Sequence, residues 1–595
     1  MADGMPWSES MLWTVAWQTS LVLALVRGRK RLEGRIRRIL RTRLSPPEVG
    51  RSWTAVAFGG IITLTTVIAL AQTSSESPEA ASSLEPMAPA PFLGPIDVVA
   101  SHDGKTLFVA CADGKGIAVV DVATEKVSKS LAMPAMPTGL VLNPDGTILY
   151  VTCASPEGRV CSVDIASGKL VQTIPVGHGA IGPAISPDGK KLYVCNGFNN
   201  NVAAVDLKSR EIALIPTLRE PLAAAVTPDG RLLYVINHLP IDRADEYEVA
   251  AEITVIDTAT NRSETVRLPN GSTVVRGICI SPDGRYVYVT HLLSRYQMPT
   301  TQLERGWMNT NALSVIDARQ KKRINTVLLD DIDLGAANPW GVACSEDGKT
   351  ICVTQAGTHE LSVIDAEALI EKLVSMPATR EEALKAGHRG SSLVASDVPN
   401  DLAFLDGLHR RVRLYDSEPW RLPERDPTVN GPRGLAVVGS KAFVAAYFTD
   451  NLPVVDLKSK QDKAGSSIAL GPKPKISVQR RGEMLFNDAT LCHQHWQSCA
   501  SCHPDARIDA LNWDLMNDGL GNPKNARSMI LAHKTPPSMS LGNIANAEEA
   551  VRSKISHQLF TVPHKEDAAA IDAYLKSLRP VPSPYLVRGK LSPAA

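Results

Sequence analysis

At 595 residues the chain is too long for one hydrophobic core, and 44% apolar residues supply enough material for two or three packed units. A net charge of +1 gives no global attraction to nucleic acid. The charge is uneven, however: residues 27–51 hold ten Lys/Arg and two Glu.

This basic block lies between two apolar runs, MLWTVAWQTSLVLALV (11–26) and WTAVAFGGIITLTTVIALA (53–71). The second is long enough to span a bilayer and the first is slightly short. Positive loops stay in the cytoplasm, which puts the chain beyond residue 72 outside the cytoplasmic membrane. Ala69-Leu70-Ala71 also has the small-x-small form of a signal cleavage site, so 53–71 reads as a retained anchor or as a late signal sequence. Both readings export the remainder. Residues 1–72 are therefore expected to be membrane segments with a cytoplasmic basic loop. Residues 73–92, rich in Ser, Pro, Ala and Glu, read as a linker. The folded part is expected on the periplasmic side of the cell envelope, anchored by the N-terminal helix or helices.

One phrase then recurs: SHDGKTLFVA at 101, NPDGTILYVT at 143, SPDGKKLYVC at 186, TPDGRLLYVI at 227, SPDGRYVYVT at 281, SEDGKTICVT at 345, and a worn copy, GSKAFVAAY, at 439. Each is followed by a second phrase closing on aspartate: Asp121, Asp164, Asp206, Asp257, Asp317, Asp365 and Asp456. Pro-Asp-Gly between short β-branched runs is turn chemistry: Pro presets φ, Asp caps, and Gly accepts a positive φ. Each repeat predicts four short antiparallel strands: A before the turn, B after it, C ending at the aspartate, and D before the next repeat. Seven such units stack radially, so an all-β seven-bladed propeller is expected over residues 93–470. The phrases resemble the YVTN family of β-propellers over roughly residues 95–470. That resemblance implies a fold and leaves the function open.

Two blades carry B–C inserts, NHLPIDRADEYEVAAE (237–252) in blade 4 and HLLSRYQMPTTQLERGWMNTN (291–311) in blade 5. Strand alternation brings both to one face, together with the D-to-A connections. His238, Tyr247, His291, Tyr296, Met298 and Trp307 are expected there, as a docking surface or lid or as plain loop variation. A third insert, about 367–430, follows strand C of blade 6 and should lie on the opposite edge. Seven of the ten cysteines fall in the repeats, where most read as small buried hydrophobes. Cys153/Cys161 and Cys344/Cys352 lie across predicted hairpins and are candidate pairs in an oxidising compartment.

Near the C-terminus stands Cys499-Ala-Ser-Cys502-His503. Two thiols at this spacing reach the two vinyl groups of haem, and the next residue supplies the axial nitrogen. A thioredoxin-like pair lacks its βαβ surroundings here, and a zinc site lacks a second ligand pair. One covalent haem c, bound by Cys499 and Cys502 with His503 on the iron, is the expected cofactor. The stretch RRGEMLFNDATLCHQHWQSCASCH resembles the bacterial di-haem cytochrome c peroxidases and their relatives. Gly482, Leu485, Phe486 and Ser498 match that family's Gly-x-x-Leu-Phe helix and Ser-Cys-x-x-Cys-His. GNPKNARSM (521–529) resembles its Arg-Asn-x-x-Ser loop, and DAAAIDAYLKSL (567–578) its closing helix. The resemblance implies a mainly α cytochrome c domain over 471–595. Members carry two haems, whereas one motif is present here. Ser540-Leu541-Gly542 stands where the family has Trp-Asp-Gly.

Candidates for the far side of the iron are Met516, Met529, Met539, His533 and His557. A Met ligand suits electron transfer, and an open face with a base such as His557 suits peroxide cleavage. His493, His495 and Trp496 flank the motif, and Cys492 reads as a free thiol or a core residue. The expected function is electron transfer at a covalent haem in the cell envelope, with an unidentified redox partner protein and no nucleic acid. The alternatives are a hydrogen-peroxide-using oxidoreductase, and a propeller that binds a ligand while its haem senses redox state.

Overall fold

The computed structural model describes residues 82–83, 87, 90–299, 308–415, 428–473, 475–515, 521–562, 564–583, 586–587 and 590–591. The apolar runs at 11–26 and 53–71, the basic block, Trp307 and Met516 lie outside the described residues. Among the described residues no helix is long and apolar enough to cross a membrane. Residues 78–595 form one compact unit.

Seven four-stranded antiparallel blades, each built from consecutive strands, run from Pro95 to Ala469. Blade 2 shows the plan: strand A is Met136–Leu142, B is Ile148–Ala154, C is Arg159–Asp164 and D is Lys169–Pro175. A short strand, Ser82–Ser83, adds to its outer edge. The A–B turn is Asn143-Pro-Asp-Gly146. Gly146 donates to Asn143 O at 2.9 Å with φ of +72°. The aspartate ending strand C caps the next turn: Asp164 Oδ1 accepts from Ser167 N at 2.8 Å, and Asp121 and Asp257 do the same for Thr124 and Thr260.

The threonine of the recurring phrase works between blades. Thr290 Oγ1, on strand B of blade 5, donates to Trp340 O on strand A of blade 6 at 2.7 Å. Thr354 Oγ1 repeats the bond to Arg433 O of blade 7 at 2.6 Å. A glycine opposite permits the approach, because a Cβ at Gly277 would sit 2.2 Å from Trp340 O. The ring closes where strand A of blade 7, Pro432–Val438, packs beside strand A of blade 1, Pro95–Ala100. There Asp450 accepts from Leu93 N and Gly94 N at 2.9 and 2.8 Å.

The blade 6 insert does lie on the A–B turn side. Asp365 caps α1 (Ala366–Val374), and α2 (Arg380–Lys385) follows. Leu369 and Leu373 of α1 pack with Leu313, Ile351 and Phe404 against the seam of blades 5 and 6. This helix falls where the stretch EALIEKLVSM (367–376) is expected to be helical, but the insert is divided: strand D, His409–Arg413, lies within the span expected to be insert throughout. Its sequence HRRVR is too charged to read as a strand, yet Arg411 lies buried in an ion pair with Glu360 and a second with Asp331.

After blade 7 come α3 (Val478–Asn487), the single turn α4 (Cys499–Cys502), α5 (Ala547–Gln558) and α6 (Lys565–Ser577). This segment is less helical than expected. Between His503 and Asn546 the described residues hold only 3-10 turns and the two-residue ladder Asn512–Trp513 with Lys524–Asn525. Pro504, Pro523, Pro536 and Pro537 deny that stretch a continuous helix. The α3–α6 crossing is close: a Cβ at Gly482 would lie 1.9 Å from Ala570 O.

Candidate functional site

The C-terminal segment packs on the propeller face that carries the B–C inserts and D-to-A connections. Blade 5 reaches furthest toward it. Its strands A, B and C (Ser272–Ile280, Tyr286–Ser294, Asn309–Asp317) have nine residues where the other blades have six or seven. The extra residues raise Asn309 and Asn311 into contact with the motif. Asn309 Nδ2 donates to Gln497 Oε1 at 3.0 Å and to Cys502 Sγ at 3.4 Å, and Asn311 Nδ2 donates to Trp496 O at 3.2 Å.

Blade 6 contributes Asn338. Its amide donates to Ser498 Oγ at 2.8 Å and accepts from Ser501 Oγ at 2.7 Å. Ser498 and Ser501 are themselves the reciprocal capping pair of α4, so the propeller grips the turn that holds both cysteines.

His503 follows α4 directly. Its Nδ1 lies 3.3 Å from Arg507 O. With Nδ1–H donating there, the Nε2 lone pair is left for a metal. Burial lowers the His503 pKa and pushes the Cys499 thiol up to about 12. The imidazole is thereby kept neutral, as a ligand requires.

Cys499, Cys502 and His503 line one cavity of about 590 Å³, a size within the usual cofactor range of about 300–1,000 Å³. Phe486 of α3, Val551 and Lys554 of α5 and Leu575 of α6 form its sides. The 524–540 loop lies across it with Met529, His533 and Met539, and the propeller supplies Met308. Two thiols and a tautomer-fixed imidazole on one wall of a largely apolar cavity fit haem c.

An ionic clamp stands beside His503. Arg507 grips Glu220 of blade 4 in bidentate fashion at 3.0 and 2.7 Å. Asp505 pairs with Arg276 at 3.1 Å. Burial opposes ionisation of Asp505, but Arg276 and Arg507 hold its carboxyl well below the usual range. On the other flank Asp488 lies 3.4 Å from His359, both fully buried.

The placement of the expected residues is mixed. Met529, His533 and Met539 line the cavity, and Met516 lies outside the described residues. His557 sits on the exposed side of α5 with Nδ1 2.7 Å from Ser553 O, and it does not line the cavity. Trp496 is buried rather than bordering the cavity, and His493 is exposed. Cys492 is a core residue.

Of the insert residues, His238 is buried at the interface, its Nδ1 bonded to Val275 O and its Nε2 3.8 Å from Asp505. Burial drives its pKa down to about 3. His291 points inward to Ser314 Oγ at 2.8 Å instead of joining the face. Tyr296 braces the two inserts through Val249 N, while Tyr247 and Met298 are exposed. Sequence reasoning missed Met308, Asn309, Asn338, Glu220 and Arg507. The first two lie in the blade 5 insert already singled out. Nothing in the sequence marks the other three.

The Cys153 and Cys161 thiols are 4.0 Å apart, on one face of blade 2. The Cys344/Cys352 pairing does not hold. Cys352 sits opposite Ala343 and Cys344 opposite Ile351, so the two side chains leave opposite faces of the sheet.

Comparison with known proteins points one way. The chain is similar to hydrazine synthase. Over 205 residues it is 28% identical to hydrazine synthase subunit beta of Kuenenia stuttgartiensis, covering 34% of this chain and 46% of that protein. Over 78 residues it is 35% identical to subunit gamma from the same organism, covering 13% of this chain and 22% of that one. It thus spans less than half the length of either relative. The solved Kuenenia stuttgartiensis hydrazine synthase aligns with 61% of this chain and 96% of that chain, at a TM-score of 0.52 and 27% identity. No protein-family model matches the chain, so neither the YVTN nor the peroxidase resemblance gains a family match.

Proposed function

We propose that this chain is an exported, haem c-carrying electron-transfer protein that works as a subunit of an assembly of the hydrazine synthase kind. The observation that carries the reading is the Cys499–His503 wall of the apolar cavity, gripped by Asn309, Asn311 and Asn338 of the propeller. The similarity to both a beta and a gamma subunit supports a place among partner subunits.

When bound, haem c supplies a one-electron couple. The chain's own residues do the rest. Cys499 and Cys502 hold the group through thioethers. Arg507 O fixes the tautomer and ring plane of His503. Phe486, Leu575 and Met308 exclude water, which tunes the potential.

A second reading, a peroxide-using oxidoreductase, is favoured by His533. It lines the cavity and its buried Nδ1 has no hydrogen-bond partner among the described residues, so a base is available where His557 is not.

The test is the optical spectrum of the purified full-length protein, after acid extraction and in ferric and ferrous forms with and without peroxide. Haem that resists extraction in the wild type and is extracted from a Cys499→Ala/Cys502→Ala variant supports the attachment. Haem lost from the wild type overturns it. A ferric spectrum that peroxide changes moves the assignment to the second reading.

A further inference from the structure

Blades 5 and 6 meet along their innermost strands, and there two cysteines face each other. Cys279 lies near the end of strand A of blade 5, and Cys344 ends strand A of blade 6. Their sulfurs are 3.5 Å apart, and both residues are half-buried. Both side chains join the seam cluster of Tyr288, Leu313 and Ile351, whereas Cys352 belongs to the cluster between blades 6 and 7. Cys344 immediately precedes its A–B turn and Cys279 stands one residue further back, so the pair lies at the end of the blades away from α4.

We propose that Cys279 and Cys344 are a disulfide-forming site that staples blade 5 to blade 6. The oxidant is a dithiol/disulfide reagent, either a thiol–disulfide oxidoreductase or a small disulfide such as oxidised glutathione. One cysteine thiolate attacks the oxidant's disulfide, one thiol leaves, and a mixed disulfide forms. The second cysteine attacks the bound sulfur and the second thiol leaves. The protein loses two electrons and two protons, and the oxidant gains them. The sulfurs close from 3.5 Å to about 2.05 Å.

The link bears on the candidate site. The same two blades send Asn309, Asn311 and Asn338 to the motif at their other end. A covalent tie between the innermost strands fixes the angle at which the blades present those amides.

The experiment is differential alkylation of the full-length protein, with and without oxidised glutathione, followed by non-reducing peptide mapping. The expected result is one cross-linked peptide joining Cys279 to Cys344, both resisting alkylation until dithiothreitol is added, while Cys111, Cys195 and Cys352 alkylate on denaturation. In Cys279→Ala, Cys344 should alkylate freely. A rise in Tm on oxidation, absent from Cys279→Ala and Cys344→Ala, would show the staple acting on the fold. Free Cys279 and Cys344 in the oxidised wild type, or a cross-link to Cys352 instead, overturns the proposal. Neither readout depends on the haem, so failure here leaves the proposed function standing.

Discussion

The Arg507–Glu220 pair ties the residue whose carbonyl orients His503 to blade 4 of the propeller. Its parallel contacts of 3.0 and 2.7 Å join side chains only 24% and 13% exposed, so solvent screens them weakly. Hydrogen bonds between charged groups contribute about 1.5–3 kcal/mol each in net terms. Glu220→Gln removes the charge and one acceptor. It does not orphan Arg507, because Asp505 remains 3.6 Å away. The expected cost is therefore about 2 kcal/mol, below the roughly 3–5 kcal/mol for stripping one partner from a fully buried pair. Urea unfolding of the purified protein, followed by far-UV circular dichroism, measures it. A double-mutant cycle with Arg507→Gln isolates the pair. A coupling energy under about 0.5 kcal/mol, the limit of ordinary additivity, would refute the clamp.

Three further expectations follow. Asp330, fully buried and accepting from Asn311 and Ala336, has its pKa raised by burial to about 6. The folded state then holds a proton that the unfolded state releases. Its contribution is present below about pH 4 and is lost as pH rises through about 6, an effect of about 3 kcal/mol. The stability difference between Asp330→Asn and wild type should shift by that amount in the variant's favour from pH 4 to 7, and a flat difference rejects the assignment. Gly482→Ala drives a methyl into Ala570 O and should cost at least about 2 kcal/mol by thermal unfolding; an unchanged Tm would mean α3 and α6 can part freely. Met308→Ala, deleting a buried propeller side chain from the cavity wall, should cost about 2–5 kcal/mol and shift the haem absorption bands; unmoved bands would place Met308 away from the group.

The propeller was legible because its signals are local. Pro-Asp-Gly turns and the aspartates after strand C satisfy their neighbours within a few residues, so repetition alone reveals the blades. The face that receives the C-terminal segment was legible too, since strand alternation dictates where B–C inserts emerge. Contacts across that face were not. Nothing near Glu220 announces a partner 287 positions later. His291 illustrates a second limit: lengthening the strand by three residues turned an expected loop histidine into an inward-facing one bonded to Ser314. Cys344 and Cys352 failed by a single step of register, which reverses the face of the sheet. His557 failed because the sequence reading placed it on no element, and the helix Ala547–Gln558 turns it to the exposed side.

The grip of Asn309, Asn311 and Asn338 on α4 also couples the motif to two blades at once. Cys499 and Cys502 are half-buried on the cavity wall, beside the propeller. Under the proposed function, a group joined to Cys502 would change the contact that Asn309 makes with its sulfur. Loading of the segment would then be felt in blade 5, so the propeller's own stability would report whether the motif is filled.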